Sequence, residues 1–576
     1  MSEQPPSVNP GPRARRTPAA KPAEPKPDTK VDDSAWLEER QAERARQREL
    51  VPWIGSMWRW YDIPWRILHG TLINRRWWMK LPRGLRTAVN DAINRLMLYN
   101  SLERARVSSG DDSVFNLIVP EHEQIEIPAI WVVEYFSPAY IPDLDKRLRK
   151  WPTTRFASRP EEVAKEQLRR ARERSGGGSM SIIGSFVSID SKSWDPGAQR
   201  AKLPEGIEAI NVQMFSMGSA LTAVVAEFHL TAEASLSVDR AARQRHEPRI
   251  VQGADRPLLD DALFVGIHDV QAERDRLHTL ARSWMATRLP GLFAVEGNKK
   301  HPVLDVVLTH AYDPFAVHGG REIGSNLYRA LFGMYHTGWD QIVSPDWPGV
   351  VFDSYRGERG LQEDDGQWQV IAKWEDVFPS GNLYFNGERS THGIVNALGG
   401  DWEASGLLSR LGLFSVLWLK ERRGAVARDL ASQTHSGARP VKSIKKLRAS
   451  VLRSSLDLSS IARDIDSITS SRKAYEWNLP RMWSQPGPNA DAKHKEEPAD
   501  KEMLKNWSTR QAKSAKRLLQ IDSSITTLLG VVASLTSSIE GIRSQRWSIA
   551  VAALSLLAAV AAVVIAVVAL IQPPTP

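Results

Sequence analysis

The run WSIAVAALSLLAAVAAVVIAVVALI, residues 547–571, decides how the rest of the chain is arranged. Its 25 residues hold no charge, no glycine and no proline. At 1.5 Å per residue they make about 37 Å of helix, enough to cross a hydrocarbon layer of about 30 Å with some tilt. A helix apolar on every face reads as a transmembrane span, because a core helix usually keeps one polar face. Directly upstream, Leu518, Ile521, Ile525, Leu528, Val532, Leu535, Ile539 and Ile542 follow one another at steps of three and four. That spacing predicts the packing seam of a coiled-coil stalk running straight into the bilayer.

Topology follows from the flanks. Arg543 and Arg546 stand just before the span, and residues 572–576 carry no charge. The positive-inside rule then places the bulk of the chain in the cytoplasm and the C-terminus outside, as a single-pass protein of the cell membrane. Residues 1–33, rich in Pro, Ala and charge, lack the apolar run of a signal peptide and read as a disordered tail. The chain has no cysteine, which excludes disulfide scaffolds, thiolate zinc sites and cysteine nucleophiles and fits a reducing compartment.

Working back from the span, residues 437–546 read as a helical hairpin. Ile444, Leu447, Val451, Leu458, Ile461, Ile465 and Ile468 keep the three-four spacing, with Ser454 in the one gap. A loop over 476–500, carrying Pro480, Pro486, Pro488 and Pro498, would join that helix to a second one that starts near Glu502 and continues into the anchor, the two pairing antiparallel. Around the seam of the second helix stand Ser523, Ser524, Thr526, Thr527, Gly530, Ser534, Ser537 and Ser538, with Asp522 and Glu540 the only charges. Two-stranded coils normally flank their seam with charge, so this scarcity points to a homo-oligomer packed through its stalks. Ala558, Ala562 and Ala566 in the span fit the same assembly.

Residues 111–436 read as a mixed α/β (α+β) cytosolic region. Strands are expected over 113–119, 125–136, 180–189, 207–238 (turning at 216–219), 303–309, 349–353 and 367–374, and helices over 144–151, 160–174 and 261–289. Gly176-Gly177-Gly178 lacks the flanking strand and the Gly-Lys-Ser/Thr of a phosphate loop, so it reads as a hinge. Residues 407–419 are apolar but short and contain Arg410, which predicts a buried helix and not a second span.

The segment 34–110 is helical and unusual in composition. Trp53, Trp58, Trp60, Trp65, Trp77 and Trp78 alternate with Arg59, Arg66, Arg75, Arg76, Lys80, Arg83 and Arg86, opposed in that stretch only by Asp62. Most of the net charge of +9 therefore sits here, and the rest of the chain is nearly balanced. Trp and Arg together favour a membrane interface, for which Trp53, Trp58, Arg59, Trp60, Arg75, Arg76, Trp77 and Trp78 are the candidates; indole packing inside the fold is the competing reading. With the basic charge confined to one aromatic segment, no nucleic-acid partner is expected.

For chemistry, Asp305, His310, Asp313, His318 and Glu322 cluster where a buried strand gives way to a loop with Gly319 and Gly320. Imidazole and carboxylate suit general acid and base work, with His310, Asp313 and His318 as candidates, or a zinc or manganese site, with Asp305, His310 and His318 as candidates. No Walker loop, dinucleotide fingerprint, nucleophile elbow or His-Glu-x-x-His is present, so no cofactor is expected.

An α/β cytosolic domain, a helical hairpin and a stalk helix continuous with a span are similar in layout to CorA-type magnesium channels. That family's Gly-Met-Asn motif and second span are absent here, so the resemblance supplies no functional residues. The expectation is a non-enzymatic oligomeric scaffold or sensor that recruits a protein partner at the inner membrane face; the alternatives are a tail-anchored enzyme using residues 305–322 and an ion-transport role.

Overall fold

A computed structural model describes residues 33–73, 77–108, 116–151, 162, 169, 180–191, 198–253, 256–316, 325–332, 340–354, 366–377, 384–385, 388–389, 403–435, 457–488, 490 and 501–571. Its centre is one mixed sheet. The strands are β1 (Ile125–Glu126), β2 (Ala129–Phe136), β3 (Met180–Ser188), β4 (Gln199–Ala201), β5 (Ile207–Ser216), β6 (Thr222–Leu230), β7 (Arg249–Gln252), β8 (Pro257–Asp260), β9 (Val303–Thr309), β10 (Asp340–Val343), β11 (Val350–Ser354), β12 (Gln367–Lys373), β13 (Tyr384–Phe385), β14 (Glu388–Arg389), β15 (Trp483–Pro486) and β16 (Lys501–Glu502). The sheet runs β16-β15-β10-β11-β12-β9-β2-β6-β5-β3-β4, with β1 also on β9; β7–β8 and β13–β14 are separate hairpins. The pairs β9–β12 and β3–β4 are parallel, and the others are antiparallel.

Both faces of the sheet are covered, so its central strands have no polar face: every residue of β2, β6 and β9 is buried. Alternation sorts the side chains between two cores. Trp131, Val133 and Tyr135 of β2 join Val225, Leu304 and Trp368 on one side. Ile130, Val132 and Phe136 join Val224, Phe228 and Val307 on the other. The second core is closed by α3 (Ala262–Arg288) and α4 (Ser325–Phe332). The α3 start is fixed by Asp261, whose carboxylate accepts from the Phe264 amide at 3.0 Å.

The first core is closed by α5 (Glu403–His435), by the helix 457–470 and by the first turns of α6 (Met503–Ile571). The apolar run 407–419 is thus a largely buried part of α5, with Trp418 turned outward, as its length and Arg410 required. Preceding all of these, α1 (Asp33–Leu50) packs on α2 (Arg83–Ser108), and α2 rests on the β7–β8 hairpin.

The expected hairpin stalk is redrawn by this packing. Leu458, Ile461, Ile465 and Ile468 bury in the sheet's core, and α6 lies principally against α5. Leu504, Trp507, Ala515, Leu518 and Ile521 are buried in the same core, and Trp507 meets Phe352 of β11 edge-on at 5.9 Å. Three-four spacing describes any helix that packs by one face, and it does not distinguish a sheet from a partner helix. The seam positions Leu518 and Ile521 therefore belong to the body, while the side chains of Ile525, Leu528, Val532, Leu535, Ile539 and Ile542 lie outside the described residues. The presumed loop 476–500 contributes β15 to the sheet, with Pro486 at the strand's last position, where its missing N–H does least harm.

Past Ile521 the helix leaves the body without a break. It runs for 69 residues, and within it Ser544–Ile565 has a mean hydropathy of 2.7 with none of its surface buried. This is one helix long and apolar enough to cross a membrane.

Candidate membrane-contact surface

A buried charge network ties α3 to the sheet. The Arg274 guanidinium forks onto Asp305 of β9, with Nε donating to Oδ2 at 2.6 Å and Nη2 to Oδ1 at 2.5 Å. His278, one turn on, sits with Nε2 2.8 Å from Oδ2. Arg274 also donates to the Leu331 carbonyl of α4 and to Gln369 of β12. Burial by itself raises the Asp305 carboxyl, but Arg274 and His278 outweigh it and hold it below the usual carboxylate range. Burial also lowers His278, against the opposing pull of Asp305.

That arrangement removes Asp305 from the expected metal set, because a carboxylate already gripped by a guanidinium fork is not offered to a cation. The other members go elsewhere. His310 places Nε2 3.4 Å from Glu126 and stacks on Trp374 with centroids 5.5 Å apart. The Asp313 carboxylate accepts from the Phe315 amide at 2.8 Å, closing its own turn. His318 and Glu322 lie outside the described residues. Among the described residues no group of three or more His, Asp or Glu side chains is set to hold a metal ion.

Two further buried carboxylates, silent in the sequence, are backbone clamps. Glu123 accepts from the amides of His310, Ala311 and Tyr312 and from the Tyr328 hydroxyl. Glu134 accepts from the Gly291, Phe293 and Ala294 amides and meets His301 Nε2 at 2.8 Å. Both carboxylates satisfy backbone donors that burial would otherwise leave unpaired.

The aromatic-basic segment behaves differently, since it turns its large side chains outward. Trp53, Trp58 and Trp60 are 61%, 81% and 62% exposed, and Met57, Ile63 and Ile67 beside them are exposed as well. Packing inside the fold is therefore not what these three indoles do. Trp65 alone of the described side chains follows that reading: it stacks on His69 with centroids 4.4 Å apart and lies under Gly55.

The loop that presents the indoles is held from beneath. Val51 and Ile54 are buried, and the buried Asp62 carboxylate accepts from the Gly55 amide at 2.6 Å and the Arg59 amide at 3.2 Å. Gly55 has φ +86°, where a side chain would be strained and would run into the Trp65 ring. Tyr61, also buried, donates to Glu103 at 2.6 Å, and Arg59 pairs with the same carboxylate at 3.1 Å. From α2, Asn100 donates to the Pro52 carbonyl and Arg104 to the Val51 carbonyl. Arg66 donates to the Gly55 and Met57 carbonyls.

The cations are woven into the aromatics. Arg66 stands 4.6 Å from the Trp58 ring centre, and Arg104 4.8 Å from that of Trp53. Trp60 sets its ring edge against Tyr99 at 4.7 Å. Burial, then repulsion from Arg48 and Arg59, lowers the Arg104 guanidinium, which marks a local excess of positive charge. Arg75 and Arg76 lie outside the described residues, as do the side chains of Trp77 and Trp78, whose backbone starts the short helix Trp77–Lys80.

No family model, no curated protein and no solved structure matches this chain.

Proposed function

We propose that the chain is a single-pass membrane-anchored protein that holds its α/β body at the cytoplasmic face and recruits a partner there as an oligomeric scaffold or sensor. The observation that carries this reading is α6, one helix whose first turns are seated in the body core and whose last turns are bare, apolar and span-length. Anchor and body are thus mechanically one piece. The Ser548 and Ser555 hydroxyls, the polar side chains of the span, donate back to the Gln545 and Val551 carbonyls of their own helix. They offer no polar lining to an ion, which favours an anchor over a pathway.

The oligomer is supported by exposed Ser523, Thr527, Gly530, Ser534, Ser537 and Gly541, small residues recurring at steps of four and three. A Cβ at Gly530 would meet nothing within 4 Å among the described residues, which leaves room there for a neighbouring helix.

Alkaline carbonate extraction tests the anchor. The full chain stays in the membrane pellet, and a chain ending at Arg543 does not; a full chain released by carbonate would overturn the reading. The absence of cysteine gives a clean orientation test, since Thr509→Cys should react with an impermeant maleimide only after the cells are opened. Oxidative crosslinking of Ser534→Cys in membranes should yield dimers, and monomer alone would sink the assembly.

A further inference from the structure

We propose that the loop carrying Trp53, Trp58 and Trp60 is a second membrane contact, which rests on an anionic leaflet beside the anchor. The inference builds on the anchored reading and adds to it a specific surface and a lipid class.

Four observations carry it. The first is cost: three indoles held at more than half exposure, with Met57, Ile63 and Ile67, make an apolar surface that water does not favour. The second is rigidity. Asp62, Gly55, Tyr61 and Asn100 fix the loop from below, so the indoles are presented by construction. The third is residue type. An indole is apolar over most of its area and keeps one N–H wet, which suits the headgroup region better than a dry protein interface.

The fourth is charge. Arg66 stands over Trp58, Arg104 over Trp53 and Arg59 over Tyr61, and Arg48 adds its positive charge beside Arg104, while Glu103 pairs with Arg59 and Asp62 turns inward to the backbone. Guanidinium groups over aromatic faces at a leaflet meet lipid phosphate and carboxylate while the rings enter the headgroup layer. A protein partner would also accept tryptophan, but the chain is already held within reach of a membrane, and a flat surface asks no shape complementarity of a protruding loop.

The geometry sets one commitment. Residues 522–543 make about 33 Å of helix between Ile521 and the span. An upright helix would hold the body that far off, so contact requires the helix to lean and the loop to lie on the leaflet-facing side.

Depth-dependent quenching in the full chain tests the proposal. A fluorophore at Met57→Cys reports the loop and one at Ser548→Cys reports the span, in vesicles with headgroup-spin-labelled or shallow-acyl-spin-labelled lipid. In phosphatidylserine-containing vesicles both probes should be quenched. In pure phosphatidylcholine the probe at 57 should lose most of its quenching while the probe at 548 keeps it. Trp58→Ala with Trp60→Ala, exposed positions whose loss leaves the core untouched, should likewise release the probe at 57. Arg48→Gln should lower the docked-to-free ratio about fivefold, the equivalent of about 1 kcal/mol for one interfacial cation.

Quenching at 548 with none at 57 would overturn the second contact, and quenching at 57 that ignores lipid charge would overturn its preference for an anionic leaflet; both leave the anchor standing. No quenching at 548 would overturn the anchor itself.

Discussion

Replacing Asp305 by asparagine keeps the shape of the side chain and removes its charge, which isolates what the buried network contributes. In the native protein the carboxylate receives two donors from Arg274 and lies 2.8 Å from His278, and all three groups are buried. The asparagine variant leaves Arg274 charged, dry and facing an amide. Removing one partner of a buried pair costs about 3–5 kcal/mol, against a total stability of about 5–15 kcal/mol for an ordinary domain. The urea midpoint of the detergent-solubilised full chain, followed by tryptophan fluorescence of the buried Trp131 and Trp368, should therefore fall sharply. The partner change Arg274→Met combined with Asp305→Leu removes both charges and should recover most of the loss, because a buried ion pair and apolar side chains of similar size are often nearly equivalent. A loss below about 1 kcal/mol for Asp305→Asn, the scale of one ordinary hydrogen bond, would refute the claim that this network clamps α3 to the sheet. A midpoint of the native chain raised by zinc, and no longer raised in Asp305→Asn, would restore the metal reading that the ion pair argues against.

Three further outcomes follow from the packing. His278 is held below its ordinary pKa of about 6.5 by burial. The folded state thus stays neutral while the unfolded state takes a proton, and stability that is full above about pH 6.5 should fall as the pH drops; His278→Gln should flatten that slope relative to the parent, and parallel curves would contradict it. The Asp464 carboxylate accepts from the Ala220 and Leu221 amides at 2.5 and 2.7 Å and from Ser219 at 3.0 Å, pinning the helix 457–470 to the β5–β6 turn. Asp464→Ala should cost about 1–3 kcal/mol for each orphaned amide and raise hydrogen exchange in that helix; unchanged exchange would count against the clamp. Arg410 is buried with Ser409 Oγ and Met217 Sδ as its side-chain partners, no carboxylate pairs with it among the described residues, and burial lowers it to about 10. Arg410→Met should leave the protein as stable or raise its stability by up to about 4 kcal/mol, and a lowered melting temperature would show that the charge is compensated.

Local chemistry was legible in the sequence where one segment determines its own form. The helix expected over 261–289 is α3 with its Asp261 cap, and the strand expected over 303–309 is β9, because a continuous β-branched run has few alternatives. What escaped was every relation between distant segments. Nothing near residues 476–500 shows that Trp483–Pro486 pairs with Asp340–Val343, and nothing near Asp305 shows that its counter-ion is 31 residues back on a helix. The same limit turned the 457–470 and 503–521 helices from an imagined stalk into core. For the candidate surface, composition located the tryptophans, but whether they face inward or outward rested on Asp62 and Gly55, whose roles are visible only once the loop is closed.

Between the body and the span the chain has no joint. Met503–Ile571 contains no proline, so under the proposed anchoring its stretch 522–543 is a stiff lever of about 33 Å that joins the body core to the span. A span that tilts by about 10° to match a thinner bilayer would swing the core end of that lever by about 6 Å. In an anchored chain, bilayer thickness would thereby be converted into a displacement of the whole α/β body, a mechanical output obtained without any ligand.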